Sequence, residues 1–193
     1  MPRRAIVPIV LLCVAGGLIG YAANRSLTPA PPPEAPPMPV LGKFTVVSPP
    51  LPAPALGFVA RDGTAKRLAD FKGDWLLVNL WATWCAPCIK EMPSLDRMQA
   101  GLGAAVDVVA ISEDRGGSAA VDRFLADHAV KTLTIGLDRT GSIANALHVE
   151  GLPTSFLVDP QGRIVAKLEG AAAWDDGPTL ATLRGLMTVK QRS

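Results

Sequence analysis

Trp75-Leu76-Leu77-Val78-Asn79-Leu80-Trp81-Ala82-Thr83-Trp84-Cys85-Ala86-Pro87-Cys88 begins as a strand and ends as the start of a helix. Residues 75–81 form an apolar run broken by one Asn, the pattern of a strand buried on both faces. A helical stretch, Ile89 to about Ala100, follows the two cysteines, with a kink expected at Pro93. This places Cys85 at a helix N-terminus, where backbone N–H groups and the helix dipole favour an anion. Such a site lowers a thiol pKa from about 8.5 toward about 3.5–7.5, so Cys85 is the expected attacking sulfur. Cys88 lies one turn on and can close a disulfide or resolve a mixed disulfide formed on Cys85. Pro87 restricts the loop, and Trp84 offers a flat apolar surface beside the sulfur.

Working outward, the chain alternates strands and helices. Asp62-Gly63 is a turn signal between Phe58-Val59 and Leu68, which predicts a hairpin ahead of the central strand. Val106–Ile111 reads as a second buried strand. Ala119–His128 is helical, with Val121, Phe124 and Leu125 on one face. Leu133–Leu137 is a strand and Ser142–Leu147 a short helix. Ser155–Val158 and Ile164–Leu168 are strands joined by the turn Asp159-Pro160-Gln161-Gly162-Arg163, and Leu180–Val189 is a closing helix. The order β-β-α-β-α-β-α-β-β-α predicts an α/β fold: a mixed sheet flanked by helices.

The first 54 residues have another character. Ala5–Ala23 holds 19 residues without a charge, about 28 Å as a helix against a hydrocarbon core of about 30 Å. Arg3 and Arg4 precede it, which favours the N-terminus inside. Residues 1–24 are thus expected to be a membrane anchor; a cleaved signal peptide shares this layout, but Tyr21 spoils the small-residue cleavage pattern. Cys13 lies in the apolar segment and reads as inert filler. Residues 28–54 contain 11 of the 18 prolines, so 25–54 is read as an extended spacer, with Lys43–Val47 left open as a short strand. Residues 55–193 are the expected folded domain. They carry 15 basic and 16 acidic groups, which argues against an electrostatic nucleic-acid binder.

Three cysteines do not make a disulfide scaffold. Zinc needs four ligands, and one CxxC pair with His128 and His148 twenty residues apart does not match. A purely structural role fits poorly, because so short a loop removes little chain entropy. Gly151-Leu152-Pro153-Thr154 precedes a strand, and a cis Leu152–Pro153 bond there would present Leu152 backbone groups to an extended peptide.

Phe71-Lys72-Gly73, the block Val78–Pro93 and the block Val149–Gly162 resemble the thioredoxin superfamily. Within it they are similar to the membrane-anchored TlpA/ResA/CcmG group of bacterial thiol–disulfide proteins, on its TlpA side. The resemblance covers about residues 55–190. It implies a thioredoxin-like fold, an attacking Cys85, a resolving Cys88 and a cis Pro153. It also implies a substrate surface of Trp84, Ala86, Pro87, Leu152 and Pro153. Thioredoxins proper carry an Asp where this chain has Asn79, which cannot take the Cys88 proton. Glu91 and Glu113 are the candidate relay; Glu91 reads first as a solvated or helix-pairing glutamate, Glu113 reads equally as a solvated loop acid, and Glu150 is a weaker candidate.

The expectation is a protein-disulfide reductase in the periplasm, monomeric and held to the inner membrane, with no bound cofactor and no metal. A membrane protein would recharge it, and apocytochrome c or copper-site assembly proteins would be its substrates. Two alternatives stand beside it. A DsbA-type oxidase uses the same motif but usually carries a helical insertion, for which the element spacing leaves no room. A non-catalytic Cu(I) carrier could use Cys85, Cys88 and His148. A peroxidase would need a lone peroxidatic cysteine in a Pro/Thr-rich loop, which the sequence does not offer.

Overall fold

A computed structural model describes residues 40–41 and 43–190. One nine-stranded sheet runs through them in the order β1-β2-β9-β8-β5-β6-β7-β3-β4. The strands are β1 (Val40–Leu41), β2 (Phe44–Pro52), β3 (Gly57–Ala60), β4 (Ala65–Arg67), β5 (Leu76–Trp81), β6 (Asp107–Ser112), β7 (Thr134–Leu137), β8 (Thr154–Val158) and β9 (Arg163–Glu169). The helices are α1 (Ala86–Leu102), α2 (Ser118–Asp127), α3 (Ser142–Ala146) and α4 (Gly177–Lys190). From residue 57 on, this is the order the sequence predicts with one strand more, because the hairpin β3–β4 supplies two strands ahead of β5 where the predicted order counts one.

β5 is central and buried throughout, which is why its sequence is apolar without alternation. Its side chains still divide by parity, because successive residues of a strand point to opposite faces. Leu77 and Trp81 join the core under α1, with Met92 and Leu95, and Trp81 packs 5.0 Å from the Phe124 ring of α2. Leu76, Val78 and Leu80 join the core of the other face with Phe58, Ile143 and Phe156. Asn79 shares the α1 face with Leu77 and Trp81 and is fully buried.

β5, β6 and β7 are parallel, whereas β8 runs antiparallel to β5 with Leu80 opposite Thr154. The ends of β5, β6 and β7 and the start of β8 therefore meet at one edge of the sheet. Backbone bonds fix that edge: Glu113 N–H donates to Trp81 O at 2.9 Å, and Asp138 N–H to Ser112 O at 2.9 Å.

One expectation needs correction. The folded part does not begin at residue 55: Phe44–Pro52 of the supposed spacer pairs antiparallel with β9. The register slips between Val46 and Leu51, at Pro49 and Pro50, because proline has no N–H to give a ladder and is tolerated at such irregularities. Phe44 is buried against Trp174 at 6.1 Å, and that apolar anchor outweighs the proline content. Pro93 lies inside α1, which runs through it to Leu102. The proposed anchor and most of the spacer lie outside the described residues; among those described, no helix is long and apolar enough to cross a membrane.

Candidate active site

Cys85 is the N-cap of α1, with Pro87 in the first turn, where a missing N–H costs nothing. The two cysteines are joined, with Cα atoms 5.2 Å apart, and the Cys88 N–H donates to Cys85 Sγ at 3.3 Å. Cys85 keeps 6% exposure and Cys88 none. An incoming group therefore reaches Cys85 first, at the end of the helix where a thiolate is stabilised.

Next to Cys85 lies a groove of about 500 Å³. Trp84, Pro87 and Leu152 line it as the sequence reading expects, and Trp84 is 69% exposed. Ala86 is exposed but is not part of the groove wall, and Pro153 is buried behind Leu152. The Leu152–Pro153 bond is cis. Arg115, Gly141, Ala144, Val149 and Glu150 complete much of the wall. The sequence gives no pattern for most of these, since they reach the groove through the convergence of strand ends rather than through local spacing.

The loop carrying Trp84 is clamped from β6. Asp114 accepts from the Thr83 N–H at 2.9 Å, the Thr83 hydroxyl at 2.7 Å and the Ser112 hydroxyl at 2.7 Å. This buried Asp escapes a sequence reading, because the pattern Glu113-Asp114-Arg115 looks like an ordinary solvated loop.

The two candidate relay acids have different surroundings. Glu113 is on the groove wall, with Oε1 buried and unpaired among the described residues. Burial, and then the Asp138 charge, push its carboxyl up to about 7. Gly141, at φ 69°, passes so close that a Cβ there would stand 3.4 Å from Glu113 Oε2. Glu91 is 2% exposed, which excludes the solvated reading. Its Oε1 accepts from Asn79 Nδ2 at 2.9 Å, and its Oε2 from the Ala172 N–H and the Trp174 indole N–H, both at 3.0 Å. Burial raises its pKa, and these donors hold the rise in check. Glu91 and Cys88 are three residues apart on one helix, hence on the same face. The Cys85, Cys88 and His148 set of a Cu(I) carrier is not assembled: among the described residues no three His, Cys, Asp or Glu side chains are placed to hold a metal.

The sequence profile of the AhpC/TSA family matches residues 50–167, both cysteines included. The chain belongs to the AhpC/TSA family. The thiol-disulfide oxidoreductase ResA of Bacillus thuringiensis subsp. konkukian is 34% identical over 119 residues, 60% of this chain and 68% of that protein. ResA of Bacillus subtilis is also 34% identical, over 60% of this chain and 65% of its own length. A protein assigned as a thiol:disulfide interchange protein DsbE in Chlorobium tepidum superposes with a TM-score of 0.64 at 27% identity, over 72% of this chain and 96% of that one. With its closed CxxC pair on a thioredoxin-like fold, this family member is a thiol–disulfide oxidoreductase.

Proposed function

We propose that the chain is a protein-disulfide reductase working in the periplasm, tethered to the inner membrane by its N-terminal segment. The carrying observation is the asymmetry of the pair: Cys85 opens on a groove able to take an extended peptide, while Cys88 is sealed behind it. In the reduced protein the Cys85 thiolate attacks a substrate disulfide, forming a mixed disulfide and expelling the first substrate thiolate. Glu113, poised near neutrality on the groove wall, is placed to protonate that thiolate. Cys88 passes its proton inward to Glu91 and attacks Cys85 Sγ. The Cys85–Cys88 bond forms, the bond to substrate breaks, and the substrate leaves with both electrons. Asn79 has no proton-accepting group for this step and serves as a donor to Glu91.

The oxidised pair then needs two electrons from a membrane protein, because free thiols in an oxidising compartment do not persist. The likeness to ResA and to a DsbE-type protein supports a thiol–disulfide exchange substrate, and the resemblance to the TlpA/ResA/CcmG group points to apocytochrome c or copper-site assembly proteins as its class. The test is the reduction potential of the pair, measured by equilibration against glutathione or dithiothreitol. A value below about −200 mV supports a reductase; a value near about −120 mV makes the protein an oxidant.

A further inference from the structure

The segment between β9 and α4 is joined to the catalytic helix at two points. The Trp174 N–H donates to Ser94 Oγ at 3.2 Å, and the Ser94 hydroxyl in turn donates to Glu91 O at 2.8 Å. The Trp174 indole N–H and the Ala172 N–H both reach Glu91 Oε2. Trp174 is fully buried, and Phe44 of β2 meets its ring edge-on. Lys43, just ahead of Phe44, donates to Ala171 O at 3.5 Å. A hydrogen bond from a buried N–H is stronger to a charged carboxylate than to a neutral carboxyl, so the indole N–H favours the charged form of Glu91 against the burial that opposes it.

We infer that Trp174 is a positioning residue for the thiol chemistry: its indole N–H holds the Glu91 carboxylate toward Asn79, one turn from Cys88, in a form ready to accept the Cys88 proton. This rests on the reading of Glu91 as the acceptor for Cys88. Glu91 is enclosed by few other polar groups. On its own helix Ser94 donates to its backbone oxygen, and its carboxylate takes one donor from Asn79 of β5 and two N–H donors from the 172–174 segment. Lys43 at the start of β2 adds a positive charge that favours the carboxylate. Asn79 gives its second N–H to Ser155 of β8 at 2.9 Å, so its amide is fixed with the donor side toward Glu91. The tryptophan therefore acts on Glu91 through a hydrogen bond and on no sulfur directly.

The test follows the resolving step, in which Cys88 releases a substrate from Cys85, by stopped flow across pH with the full chain. Removing one donor from a charged acceptor disfavours the charge, so Trp174→Phe moves the acid limb upward by about one pH unit. On that limb the rate falls about tenfold at a given pH. Trp174→Phe added to Glu91→Gln changes nothing further. Phe44→Leu, which disturbs the packing of Trp174 and keeps its N–H, leaves the limb in place. Without substitution at Trp174, its indole N–H resonance titrates with the same midpoint as the limb and loses that titration in Glu91→Gln. A folded Trp174→Phe variant with an unmoved limb overturns the inference, as does an indole resonance insensitive to pH. If Glu91→Gln keeps the native limb, the reading of Glu91 itself fails, which is a different result from either of these.

Discussion

Cys88→Ser leaves Cys85 able to attack and nothing able to release what it has caught. The variant should accumulate a mixed disulfide with substrate, visible by mass spectrometry, and lose multiple turnover; Cys85→Ser should form no such adduct. Glu113→Gln tests the groove acid. Its carboxyl ordinarily titrates near 4.5 and here near 7, so the folded state holds the proton more tightly than the unfolded one. That stabilisation is fully present below about pH 4.5 and is lost as the pH rises through about 7. The urea midpoint of the native protein should therefore fall as the pH rises through that window, and Glu113→Gln should flatten the profile. The two acids also show where sequence reading stops at this scale. Cys85 and Cys88 are legible because their partners are three residues away. Glu91 is not, because its partners at Asn79, Ala172 and Trp174 lie 12, 81 and 83 residues off, and spacing along a helix cannot distinguish a solvated acid from one enclosed by remote segments.

Among the elements, the loop after β5 and the strand β2 are the least obvious from sequence. Asp114→Ala removes the acceptor that ties Thr83 to β6 and leaves a part-buried N–H without a partner. A cost of about 2 kcal/mol is expected, read as a shift of the urea midpoint, together with slower attack by Cys85 as the Trp84 loop loosens. Phe44→Ala takes a buried ring from the cover of Trp174 and should cost about 3–5 kcal/mol. The hairpin β3–β4, the central strand and helices α1 and α2 could be read directly, since turn residues and apolar periodicity are local signals. β2 could not, because Pro49, Pro50 and Pro52 speak against a strand while the one residue that fixes it, Phe44, is a single aromatic whose partner is 130 residues away.

For the whole molecule, the fold class followed from the alternation of strands and helices, whereas the strand order did not. Antiparallel insertion of β8 beside β5 brings Leu152 to the cysteines, and nothing in the local sequence of β8 states its neighbour. The same architecture makes the outer strand β2 part of the domain. A protein beginning at residue 55 would lack Phe44, Lys43 and the β2–β9 ladder. It should unfold at lower urea than one beginning at residue 40, with a smaller m-value because less surface is buried on folding.

Of the four tryptophans, Trp75, Trp81 and Trp174 are enclosed and Trp84 stands in water beside the attacking sulfur. The molecule thereby carries its own optical probe. A soluble quencher such as iodide should reach Trp84 and leave the other three untouched, so the quenchable fraction of the emission belongs to the mouth of the groove. Docking of a peptide over Cys85 would shield that fraction, and opening of the neighbouring disulfide would brighten it, letting occupancy and oxidation state be followed in real time without any attached label.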